Sequence, residues 1–196
     1  EKDFMDVIQP FLEENPNSIG VFGGVEVLYK DGLRKKIIKA KNKYTFDDIF
    51  LHKHNLPAPT SLLRLENVKS VGGFREDFII EDWSMWLDLT ENGKSLDYIN
   101  RVFAVYRRHD GNLSGQFEKM YEGRMQIIEL FKDKKNYKQA KSRALLVQAN
   151  EVQTVNKLKS IKFALDSIRV YPLILFSVPF VKYIIKMFIK RKYKLN

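Results

Sequence analysis

Two adjacent carboxylates, Glu81 and Asp82, stand where a strand-like run, Phe78-Ile79-Ile80, meets a helical pattern beginning at Trp83. At a helix start the first backbone N–H groups have no intrahelical partner and the dipole end is positive. Both effects hold a carboxylate in its ionised form. An ionised carboxylate beside apolar Trp83 and Trp86 is what a general base requires, the group that takes a proton from an attacking hydroxyl. The same residues also suit an ordinary capping Asp with an acid before it, and the local pattern leaves both readings open.

The elements that must position this pair follow from patterning. Residues 3–14 read as a helix with Phe4, Val7, Ile8 and Phe11 on one face, kinked or ended near Pro10. Residues 19–29 read as a buried strand, in which Gly23-Gly24 marks a bulge or a close backbone approach. Lys30-Asp31-Gly32 turns the chain into a second strand over 33–38. Thr45 caps a short helix over 46–52 with Asp47 and Asp48 in its first turn. Leu56-Pro57-Ala58-Pro59 is extended and leads into a strand at 60–65. A helical turn at 66–71 is stopped by Gly72-Gly73. The helix over 82–91 carries Trp83, Trp86, Leu87 and Thr90 on one face. Two short strands follow, 95–100 and 103–107, and from Gln116 onward the pattern is helical. The fold class expected is α/β, followed by a C-terminal helical region.

The 196 residues are 44% hydrophobic and 30% charged, which is ordinary globular material and excludes a disordered or collagen-like chain. There is no cysteine, so disulfides and thiolate metal sites are excluded. The net charge of +10 is unevenly placed. From Lys157 to Asn196 ten basic residues face one acid, Asp166, giving +9, and the preceding body carries +1. A body so close to neutral is not a nucleic-acid surface, and no nucleic-acid partner is expected.

The run from Gly72-Gly73-Phe74 through Glu76 and Glu81-Asp82-Trp83 to Trp86-Leu87, with Tyr106-Arg107-Arg108-His109 and Asn112-Leu113-Ser114 after it, resembles family-2 inverting glycosyltransferases of the GT-A fold. The likeness covers about residues 1–115. Pro57, Ser61 and Arg64 fit the members that build bacterial surface polysaccharides. The resemblance implies the second half of a GT-A domain, Rossmann-like with a mixed sheet. It implies transfer of a sugar from a nucleotide-sugar donor to a hydroxyl of a glycan or lipid-linked acceptor. Asp82 would be the base and Glu81 its neighbour. Gly72, Gly73, Phe74 and Trp83 would border the acceptor, although helical spacing equally suits Trp83 and Trp86 to core packing. Arg107 and Arg108 would meet the diphosphate and His109 a divalent metal, Mg or Mn; a strand-end loop with solvated charges is the alternative. His52 and His54 flank Lys53 and suit a solvated helix end better than a metal pair.

The sequence departs from the family in lacking an Asp-x-Asp motif and a Gly-rich phosphate loop. The expectation is that the chain is part of a longer one, whose first half binds the nucleotide and most of the metal. Residues 1–115 would then be the acceptor-side half, 116–156 a helical extension, and 157–196 basic amphipathic helices that associate with an anionic membrane. In the last segment Tyr171 to Val181 carries no charge but holds Pro172 and Pro179, and is too short to span a bilayer. Lys182, Lys186 and Lys190 form a helical stripe, with Ile184, Ile185, Phe188 and Ile189 away from it. A packing helix with a solvated face, or a short re-entrant segment, are the alternatives. The expected location is cytoplasmic, peripheral on the inner face of the membrane. A rival to the enzyme is a catalytically silent membrane-binding adaptor with the same body.

Overall fold

The computed structural model describes residues 4–38, 41–52, 56–109 and 111–188. Lys190, Arg191, Lys192 and Lys194 of the basic tail, and His54, lie outside the described residues. The chain divides into two compact units, residues 1–115 and 116–196.

The first unit is α/β with a mixed open sheet. Helix α1 (Phe4–Glu14) precedes strand β1 (Gly20–Leu28), and it continues through Pro10. Strands β2 (Arg34–Ile37) and β3 (Lys43–Thr45) follow, then α2 (Phe46–Phe50) and the two-residue β4 (Leu62–Leu63). Helices α3 (Leu65–Ser70) and α4 (Glu81–Thr90) lead to β5 (Ser95–Arg107). The strand order is β2-β1-β5-β3, with β4 also on β1. β1 and β5 are parallel and the remaining pairs are antiparallel.

β1 is buried almost throughout, because neighbouring side chains point to opposite faces and both faces are covered. Val21 packs with Ile8 of α1 and Phe103 of β5. The next residue, Phe22, meets Trp86 of α4 edge to face, with ring centroids 4.7 Å apart. So α1 and α4 cover opposite faces of one sheet.

Three local expectations are corrected. Residues 95–107 form one thirteen-residue strand rather than two. The irregularity lies within β5: over the three steps from Phe22 to Val25 of β1 the partner advances six, from Tyr98 to Ala104, so β5 bulges opposite Gly23 and Gly24. A Cβ on Gly23 would lie 2.0 Å from the Phe103 ring, and one on Gly24 2.8 Å from the Ile37 carbonyl. These glycines therefore mark a close approach, facing the bulge of β5. The strand expected at 60–65 shrinks to β4, because a 3₁₀ turn occupies Ala58–Thr60 behind Pro57. Ile80, not Asp82, is the N-cap of α4, so both acids sit in its first turn.

The second unit is helical: α5 (Phe117–Leu130), α6 (Tyr137–Val152), α7 (Lys157–Val170) and α8 (Val178–Phe188), with a 3₁₀ turn Pro172–Phe176 before α8. Small residues let α6 and α7 approach closely. Ser142 and Ser167 exchange hydrogen bonds, and Ser160 donates to the Ala149 carbonyl at 2.7 Å. Ile174, Phe180 and Tyr183 close the same core over Leu146, Ala149 and Ala164. Among the described residues no helix is long and apolar enough to cross a membrane.

Candidate functional site

The site is built on the loop 71–80 and the first turn of α4. Gly72 and Gly73 have φ of +86° and +81°, the left-handed region that only glycine enters cheaply. Two such residues in succession turn the chain sharply after α3. Phe74 follows, 49% exposed, with its ring edge-on to Trp86 at 6.3 Å. Arg75 then reaches Asp88 on α4 with two hydrogen bonds, at 3.0 and 3.2 Å. It also stacks over the ring of Phe78, which is buried. The loop is therefore fastened to the helix it precedes.

Asp82 is half-buried and its Oδ1 accepts the Trp83 backbone N–H at 2.6 Å. Burial is the strongest influence on its carboxyl and pushes the pKa up. The Trp83 N–H pulls the other way and the neighbouring Glu81 charge adds to the rise, leaving the net direction upward. The helix start was expected to favour the ionised form, and here desolvation outweighs it. A carboxylate raised toward neutrality is a stronger acceptor of protons than an ordinary solvated one. Glu81 is exposed.

Trp83 does not offer a ring face to a ligand. It is 7% exposed, its Nε1–H donates to the Ile49 carbonyl at 3.3 Å, and its indole lies 4.4 Å from the His52 ring. Residues 83–90 are all buried, so α4 is enclosed on every side rather than amphipathic. Phe74 is instead the aromatic open to solvent beside the loop. Ser84 Oγ and Trp86 Nε1 are buried without a hydrogen-bond partner among the described residues.

Arg107 ends β5 and Arg108 and His109 follow it, all three exposed. The Arg108 N–H donates to the Leu28 carbonyl at 2.9 Å, extending the β1–β5 ladder by one bond. The His109 N–H donates to Asn112 Oδ1, which makes Asn112 a turn residue. Gly93, at φ +78°, reverses the chain from α4 into β5. The N-terminal end of α4 thus points the way β5 travels, toward the side of a parallel pair where ligands sit in open α/β sheets. β5 outruns the helix, about 43 Å of strand against about 15 Å of helix. Among the described residues no hydrogen bond or ion pair joins Glu81 or Asp82 to Arg107, Arg108 or His109. Nor does any group of three or more His, Asp or Glu converge as a metal site among them.

A polar cleft of about 610 Å³ opens at the amino ends of β1 and β5, lined by Glu14, Lys43, Arg64, Lys94 and Asp97 among others. Its principal charges are engaged. Lys43 lies 3.8 Å from Asp97, and Arg64 donates to the carbonyls of Ser18, Leu12 and Asn15. The perturbed carboxylate is not there, and we place the candidate site at Asp82.

Sequence reasoning missed Arg75 and Asp88. They are thirteen residues apart across a loop, and no periodicity links them. No protein-family model matches the chain, and no curated protein matches it.

Proposed function

We propose that the first unit is the acceptor-side half of an inverting glycosyltransferase of the GT-A type, similar to family 2. The observation that carries this reading is the half-buried Asp82 in the first turn of α4, its pKa raised, behind a double-glycine loop that presents Phe74. In this reading an acceptor sugar packs on Phe74, and Asp82 takes the proton of its hydroxyl. The oxygen then forms a bond to the anomeric carbon of a nucleotide sugar, and the bond from that carbon to the diphosphate breaks, with inversion. Glu81 holds a second negative charge beside the base. Trp83 holds Asp82 in place through its backbone N–H and its buried ring, and no longer serves as a sugar platform.

Arg107 and Arg108 are candidates for the leaving diphosphate, as charge-assisted donors. A divalent metal, Mg or Mn, belongs to the same family reading, but the described residues supply His109 without a converging ligand set, so no step above is routed through it. In this reading the nucleotide is held by a further half-domain that these residues do not supply. The acceptor would be a glycan or a lipid-linked glycan at the inner face of a membrane.

The test is Asp82→Asn in a chain that carries both halves, assayed with a panel of nucleotide sugars. The expected loss in turnover is about 10²–10⁴-fold, the usual contribution of a general base, with donor binding retained. Turnover within a few-fold of the parent would remove Asp82 from the mechanism.

A further inference from the structure

We infer that the helical unit docks on an anionic lipid bilayer through α8 and the 3₁₀ turn before it, with α8 lying in the plane of the surface. Phe180 and Tyr183 fasten one face of α8 to the core of the unit. A different face is apolar and open. Val178, Val181, Ile185 and Phe188 recur at spacings of three, four and three, which makes one stripe. They are 65, 50, 50 and 83% exposed. Phe176, in the turn, is 85% exposed. A continuous row of large apolar side chains ending in two solvated phenylalanines is unlike an ordinary soluble surface, where exposed apolar residues are scattered.

Charge selects the occupant. Lys182 and Lys186 follow one another at i, i+4 along the flank of the stripe, both exposed. Lys186 also donates to the Asn150 side-chain amide at 3.3 Å. From Ser167 to the last residue the sequence has no acid, whereas Arg169, Lys182, Lys186 and four further basic residues occur. An acidic protein groove would also attract these lysines, but the stripe is eleven residues long on a helix already held on its far face, with aromatic side chains at both ends. An apolar stripe with a basic flank is the arrangement of a helix lying at a bilayer surface, side chains in the acyl boundary and ammonium groups among anionic headgroups. The inference does not depend on the chemistry of Asp82.

The experiment is co-sedimentation of the full chain with two kinds of vesicle, phosphatidylcholine alone and an equal mixture of phosphatidylcholine and phosphatidylglycerol. The parent should pellet with the mixed vesicles and release as salt rises. Lys182→Glu with Lys186→Glu should lower that partitioning at least about tenfold. Phe176→Ser with Phe188→Ser, both at solvated positions and so without effect on folding, should lower it by a similar factor at every salt concentration. Failure of the parent to pellet with mixed vesicles overturns the inference. So does either double variant pelleting like the parent. So does a dimer of the parent that the phenylalanine variant dissociates while vesicle binding is absent, because the stripe would then be an interface between copies.

Discussion

Arg75 grips Asp88 with a two-pronged contact, Nε to Oδ2 at 3.0 Å and Nη2 to Oδ1 at 3.2 Å, and this ties the glycine loop to the helix that carries Asp82. Asp88 is 9% exposed, so it depends on this partner for its charge. Arg75 is 42% exposed, which screens the pair, but its loss leaves the buried Asp88 carboxylate without this partner. Arg75→Ala should therefore cost about 1–3 kcal/mol in urea unfolding. Arg75→Lys keeps the charge and loses the fork, and should recover only part of it. An unchanged midpoint in the Ala variant would show that the loop is held by something else.

Asp82 makes the stability of the fold depend on pH. Because the folded pKa is raised, the folded protein binds the proton more tightly than the unfolded chain. Stability is then lost as pH rises through the folded pKa, and the ionised carboxylate is a cost at neutral pH. Asp82→Asn, which removes that charge, should raise the unfolding temperature at pH 7. The gain should shrink toward zero at a pH below about 3.9, where the parent is protonated in both states. In the proposed transferase the acid limb of the rate profile should lie above that of an ordinary Asp. A variant that melts earlier than the parent at pH 7 would contradict this.

Asp48 has the reverse sign. Burial raises its pKa, but hydrogen bonds from Lys41 and from the Thr45 N–H and hydroxyl outweigh burial and bring it to about 2. Its stabilisation is present above the unfolded value near 4 and is lost as pH falls toward 2. Lys41 is 46% exposed, so screening reduces the effect. Asp48→Asn should cost about 1–2 kcal/mol at pH 7, and the two proteins should converge by pH 2. Parallel stability curves from pH 7 to pH 2 would refute the assignment.

Gly24 is the sharpest steric test. Its missing Cβ would meet the Ile37 carbonyl at 2.8 Å, and a backbone atom cannot swing aside. Gly24→Ala should cost about 1–3 kcal/mol, as overpacking does. Gly72→Ala meets nothing within 4 Å and is penalised only by its φ of +86°, at about 1–2 kcal/mol. Denaturant midpoints separate the two. If Gly24→Ala is neutral, β1 and β2 are not packed as described.

The glycine pair at 23–24 was legible because glycine inside an apolar strand has few other meanings. The unity of β5 was not, since exposed Asn100 and Arg101 interrupt its apolar run just where β5 itself bulges opposite Gly23 and Gly24. The helix under the acids was legible from its spacing, but its orientation was not. With every residue from Trp83 to Thr90 buried, the pattern holds no polar side to say which way the indoles face. The place of Asp82 at the start of a helix was readable, whereas its ionisation was not. Burial depends on tertiary packing, and that term outweighs the local helix-start effect the sequence does disclose.

The position of β5 between β1 and β3 has a temporal meaning. In chain order it is the last strand of the sheet, yet its place is in the middle. During synthesis Val21, Val25 and Val27 must wait for their parallel neighbour until Arg107 has emerged. The closure joins distant segments, which makes it slow compared with the neighbouring helices α6 and α7, joined by a few residues. A nascent chain halted before Ser95 would carry two open strand edges, an invitation to pair with another copy. The first unit is thus most vulnerable not when it is complete but while the ribosome is still reading its centre.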